Sequence, residues 1–149
     1  MELRTDKIRA CFDRKIGNFT ELWNLSTNTN YVRCAPRDPL IELYGLKNGE
    51  RVKLSGHISD EAEAPDALIL SYDSFGEYDI SAKVTCRCEQ DRLVFSAEIC
   101  NHSTIDVTEI LMPHLGGIYL GNGQKDYLIY PHHAGDKTED PVYNYAENR

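Results

Sequence analysis

Asp79-Ile-Ser-Ala-Lys-Val-Thr-Cys-Arg-Cys88 alternates without a break, with Ile80, Ala82, Val84, Cys86 and Cys88 on one side and Asp79, Ser81, Lys83, Thr85 and Arg87 on the other. Successive side chains of a strand point to opposite faces, so this period of two describes a strand with one buried and one wet face. Cys86 and Cys88 share the buried phase. A thiol there behaves as a small hydrophobe, which outweighs a metal or redox reading of the Cys-x-Cys pair.

Working outward, Glu89-Gln90-Asp91-Arg92 turns the chain, and Leu93, Phe95, Ala97 and Ile99 alternate with Val94, Ser96, Glu98 and Cys100 to complete an antiparallel hairpin. Upstream, Ala67 to Tyr72 is apolar and β-prone, while Asp60 to Asp66 carries four acids in seven residues with a proline and reads as a solvated acidic turn. No spaced Asp-x-Asp-x-Asp-Gly loop accompanies those acids, so a calcium site is disfavoured. Leu40 to Leu46 is a short strand closed by Lys47-Asn48-Gly49, where Asn-Gly is a strong hairpin signal, and Val52, Leu54 and Ile58 follow on one face. Ile8, Ala10 and Phe12, a turn at Asp13 to Asn18, and Phe19 to Trp23 form an opening hairpin. Asn24 to Pro39 reads as a surface loop. No window carries a helical period with caps, so the class is all-β and antiparallel, with strand signals spaced as in a β-sandwich. One sandwich domain is expected over residues 1–149, with 136–149 a polar, tyrosine-bearing tail.

The 149 residues are 41% hydrophobic and 27% charged, the composition of a globular protein. A net charge of −8, with basic residues scattered singly, argues against nucleic acid and against an anionic lipid surface. No apolar run approaches the roughly 20 residues that span a bilayer, and Met1-Glu-Leu-Arg-Thr-Asp-Lys7 lacks a signal peptide's apolar core. The five cysteines, Cys11, Cys34, Cys86, Cys88 and Cys100, have no zinc-ribbon spacing and read as free thiols, which points to the cytoplasm.

Ile110 to Gly135 concentrates the unusual chemistry, with three of the five histidines and five of the ten glycines set between short apolar runs. Glycine and proline mark bends and close approaches, so this stretch reads as two strands joined by a tight turn, each flanked by a special loop. The most constrained loops are Pro113 to Gly117 and Pro131 to Gly135.

The order of motifs carries a resemblance. Phe-Asp-x-x-x-Gly-x-Phe-x-x-Leu (Phe12 to Leu22), Pro-Leu-x-x-Leu-Tyr (Pro39 to Tyr44), Ile-x-Asn-x-Ser (Ile99 to Ser103), Met-Pro-His-Leu-Gly-Gly-Ile (Met112 to Ile118) and Tyr-Leu-Ile-Tyr-Pro-His-His-Ala-Gly (Tyr127 to Gly135) follow one another. Together they resemble the amino-terminal, galactose-mutarotase-like β-sandwich of largely uncharacterised bacterial glycoside-hydrolase-like proteins. The resemblance implies a supersandwich, here short of its last strands, that precedes a catalytic (β/α)₈ barrel lying outside these 149 residues. It implies a non-catalytic module without cofactor, which packs on the barrel and contributes to carbohydrate binding.

Four chemical readings compete. Glycoside hydrolysis needs two carboxyl groups roughly 5–5.5 or 6.5–9.5 Å apart. The 24 acids of this chain mostly fall at polar strand phases or in turns, where each reads as solvated. A mutarotase-like epimerase, acting as a free-standing oligomer, would pair His114, His132 or His133 with Asp126, Asp136 or Glu109. A metal site could draw on His114, His132, His133 and Asp136, but adjacent residues of an extended chain face opposite ways, which sets His132 against His133. Sugar binding asks for aromatic faces with hydrogen-bonding neighbours, and Trp23, Tyr119, Tyr127 and Tyr130 with Asn122 and Gln124 qualify. The carbohydrate-binding set expected from this stretch is His114, Tyr130, His132, His133 and Asp136, with no catalytic or metal-ligating residue assigned. An exposed sheet edge would favour a homo-oligomer, the form in which a free-standing carbohydrate-binding protein or sugar epimerase would work.

Overall fold

A computed structural model describes residues 1–118 throughout, and 127–130 and 136–139 as strand backbone. Eleven strands belong to the compact unit Met1–Ile118: β1 (Glu2–Arg4), β2 (Ile8–Phe12), β3 (Phe19–Asn24), β4 (Thr29–Asn30), β5 (Glu42–Lys47), β6 (Glu50–Leu54), β7 (Asp60–Ala64), β8 (Ala67–Tyr72), β9 (Ile80–Glu89), β10 (Arg92–Asn101) and β11 (Asp106–Leu111). The unit Tyr119–Arg149 contains β12 (Tyr127–Tyr130) and β13 (Asp136–Glu139), paired antiparallel. Among the described strands every pairing is antiparallel, and the sheets are open: β1-β2-β3-β4, β10-β9-β8-β7 and β11-β5-β6 in the first unit, β12-β13 in the second. The expected all-β, sandwich-like class is what forms.

The alternation that decides the class holds along β9, where Ile80, Ala82, Val84, Cys86 and Cys88 are all buried, at most 7% exposed. That row shares one apolar cluster with Leu3 of β1, Ala10 and Phe12 of β2, Phe19 of β3 and Leu43 of β5. Phe12 lies on Phe19 with ring centres 4.8 Å apart, and Phe19 meets Phe95 of β10 edge-on at 6.1 Å. These contacts lay the first sheet over the inner face of the β7–β10 sheet. The Asn48-Gly49 turn joins β5 to β6 with both residues at positive φ, 54° and 83°, the geometry of a tight hairpin turn. All five cysteines are free. Among the described residues no helix is long and apolar enough to cross a membrane.

Four local expectations are corrected. Asp60 to Asp66 is not only a turn: Asp60–Ala64 is strand β7, the edge of its sheet, with only Pro65 and Asp66 turning the chain into β8. Its acids blunt a free edge, a use of charge that composition alone does not separate from a loop. Within the loop expected from Asn24 to Pro39, Thr29 and Asn30 pair back onto β3. The apolar run at Ile110 belongs to β11, which pairs with β5, and Tyr127–Tyr130 pairs instead with β13. Asp136–Glu139, the start of the expected tail, is therefore strand.

Candidate functional site

Strand β3 and the inner face of β10 enclose a cleft of about 380 Å³. Phe19, Leu22 and Trp23 of β3 and Leu93 and Phe95 of β10 line it, together with Tyr31 and Leu115. Lys7, Asn24, Ser26, Asp91 and Arg92 add polar groups. Local hydrogen bonds fix the aromatic wall. The Trp23 indole N–H donates to Glu21 Oε2 at 2.8 Å, and Arg9 Nη1 holds that carboxylate at 3.2 Å. The Tyr31 N–H donates to the Leu22 carbonyl at 2.8 Å, while Asn30 Oδ1 accepts from the N–H groups of Leu22 and Val32. Thr5 Oγ1 donates to the Gln90 carbonyl at 2.9 Å and so ties the β1–β2 turn to the β9–β10 turn beside the cleft.

A second constellation gathers on β5. Glu42 is only 3% exposed, yet its carboxylate meets three neighbours. Lys53 Nζ of β6 donates to Oε1, Tyr44 Oη donates to Oε2 at 3.1 Å, and His114 Nδ1 stands 3.5 Å from Oε1. Burial pushes the Glu42 carboxyl up, but the hydrogen bonds from Lys53 and Tyr44 and the charge at His114 outweigh it and hold the group below the usual glutamate value. The hydrogen bond from Lys53 to Glu42 raises the lysine in turn. Arg51 stacks over the Tyr44 ring at 3.6 Å and pairs with Glu109 at 2.6 Å, which covers the outer side.

Beneath this group Asn18, fully buried, donates from Nδ2 to the carbonyls of Asp38 at 2.9 Å and His114 at 2.8 Å, and accepts from the Phe19 N–H. The His114 N–H reaches the Leu40 carbonyl at 2.8 Å. Lys53 and Tyr44 engage the two Glu42 oxygens, His114 Nδ1 makes no hydrogen bond among the described residues, and the His114 N–H on the Leu40 carbonyl fastens the loop to β5, so no free carboxylate is left to take a proton from a substrate.

Of the expected set, His114 is placed against Glu42 and not in the aromatic cleft. Tyr130 and Asp136 are register partners that close the β12–β13 ladder. His132 and His133 lie outside the described residues, as do Tyr119, Asn122, Gln124 and Asp126, and of Tyr127 the strand backbone alone is described. Among the described residues no three His, Cys, Asp or Glu side chains gather as a metal site. Trp23 lines the cleft, and Tyr31 and Glu42 are placed at these two sites without having been singled out by the sequence. Tyr31 sits in a polar stretch with no strand signal, and its pairing with Leu22 arises only from the β3–β4 return. Glu42 could have been found from one feature, an acid inside the apolar run Leu40-Ile-Glu-Leu43. Compared with known proteins, the chain matches no family model, no curated protein and no solved structure.

Proposed function

We propose that this chain is a non-catalytic β-sandwich module of a glycoside-hydrolase-like protein, that it binds carbohydrate in the Trp23–Tyr31 cleft, and that it packs on a (β/α)₈ catalytic domain of a longer parent. The observation that carries the binding part is the cleft itself, with its apolar and aromatic walls and polar groups at Asn24, Ser26, Asp91 and Arg92. Sugars present apolar C–H faces ringed by hydroxyls, and an indole flanked by amide, hydroxyl and charged groups complements both. The five free cysteines support a reducing compartment such as the cytoplasm.

Trp23 is the chain's one tryptophan, so its fluorescence reports on this cleft alone. Titration with mono- and oligosaccharides should give a saturable change with one sugar class. The same sugar should raise the thermal midpoint of the wild-type chain as its concentration exceeds Kd. Tyr31→Ala should weaken binding by about tenfold, ~1.4 kcal/mol. A thermal shift that survives in both Trp23→Ala and Tyr31→Ala would move the sugar elsewhere, and the absence of any response across the panel would remove carbohydrate binding from the proposal.

A further inference from the structure

Strand β10 is ten residues long and bonds to β9 on one side only among the described strands. The direction of its free groups follows from the ends of the ladders. Cys88 N–H donates to the Asp66 carbonyl, so even-numbered residues of β9 bond toward β8 and odd-numbered ones toward β10. His102 N–H donates to the Asp79 carbonyl, in phase with the Arg92↔Glu89 register, so even-numbered residues of β10 bond toward β9. Leu93, Phe95, Ala97 and Ile99 are left to direct their N–H and C=O groups to the open side. Their side chains form the inner face of the strand, and they are only half-buried where the equivalent row of β9 is closed. An edge with no partner among the described strands, next to a half-buried apolar row, is a template for another strand.

We propose that this edge pairs antiparallel with β10 of a second copy of the chain, with Ser96 opposite Ser96 across a two-fold axis. That register sets Phe95 opposite Ala97 of the second copy and Leu93 opposite its Ile99, matching a large side chain with a small one and apolar with apolar throughout the inner face. A shift by one pair would place Phe95 against Ile99 and Leu93 against the polar Asn101. On the outer face the chosen register makes Arg92 a diagonal neighbour of Glu98 of the second copy, so opposite charges meet twice across the axis. Because Leu93 and Phe95 also wall the aromatic cleft, Ala97 and Ile99 of the second copy would extend that wall. The contact is isologous and closes as a dimer rather than growing into a fibre.

The test needs no sugar, so it stands or falls apart from carbohydrate binding. Sedimentation equilibrium over a dilution series should show a species of twice the 17.0 kDa chain mass. Ala97→Pro removes an N–H that points away from β9, and proline is tolerated at such edge positions, so the fold should persist and the dimer should be lost. Ser96→Lys, at an exposed position, sets like charges against each other and should also give a monomer. Ser96→Cys, with the exposed Cys34 and Cys100 changed to serine, should oxidise to a linked dimer, since directly opposed non-hydrogen-bonded residues lie about 4.5 Å apart at Cα. A wild-type monomer at every concentration overturns the proposal. So does a dimer that persists in both Ala97→Pro and Ser96→Lys, or one that Ser96→Cys fails to link.

Discussion

Asn18 and Tyr72 are both buried polar side chains, and they predict opposite outcomes. Asn18 satisfies two part-buried carbonyls and one buried N–H, so Asn18→Ala leaves all three without that partner and should lower stability by about 2 kcal/mol. Tyr72 Oη is buried with no hydrogen-bond partner among the described residues, and burial pushes its hydroxyl up to about 12. Tyr72→Phe removes only that unmet group and should leave stability unchanged or raise it by about 1 kcal/mol. Urea midpoints of the two variants against wild type give the comparison, and a loss in Tyr72→Phe would mean that the hydroxyl has a partner after all. Glu42 adds a pH dependence. Its folded pKa lies below the unfolded one, so its contribution is complete above the unfolded glutamate value and fades as pH falls through the folded value. Glu42→Gln should therefore cost about 1.5–3 kcal/mol at neutral pH and progressively less in acid, and the wild-type and variant midpoints should converge. A gap that is constant with pH would show that the carboxylate charge is not what holds Lys53. The acid inside Leu40-Ile-Glu-Leu43 is legible as an exception to the apolar run, but its partners are not, because only the fold brings Lys53 and His114 onto residue 42.

Strands were legible where one face is buried and the other wet, and illegible where long-range pairing decides. The β9–β10 hairpin follows from alternation and a short turn alone. β11 does not, because it pairs with β5 more than fifty residues earlier, and nothing in either run encodes that register. The pairing depends on Gly45. A β-carbon there would stand 2.8 Å from the Asp106 carbonyl oxygen and 3.0 Å from a methyl of the buried Ile105, at the start of β11 and just before its bulge at Val107 to Glu109. A backbone oxygen in a ladder cannot step aside as a flexible side-chain end can, so Gly45→Ala should push β11 off β5 at about 1–3 kcal/mol. Hydrogen exchange is the informative probe. The amides of β11 should lose protection while those of β9 keep theirs, and a uniform loss would show instead that the two sheets open together.

At the scale of the unit Met1–Ile118, the two layers and the cleft share one side chain. Phe19 is 1% exposed, packs tilted against Phe12, meets Phe95 edge-on and also lines the cleft wall beside Trp23. Phe19→Ala removes the ring that joins β3 to β10 and should cost about 3–5 kcal/mol, a large part of the ~5–15 kcal/mol that holds a domain folded. The cavity left behind would open into the cleft, so the native-state emission of Trp23 should shift to the red as water reaches the indole. In a urea titration followed by Trp23 emission and by far-ultraviolet circular dichroism, both midpoints should fall together with little change in slope. Coincidence is the meaningful part of that result. It would show that the cleft is a wall of the core and opens only when the core does, whereas an early fluorescence transition would make β3 and its aromatic wall a separately melting part.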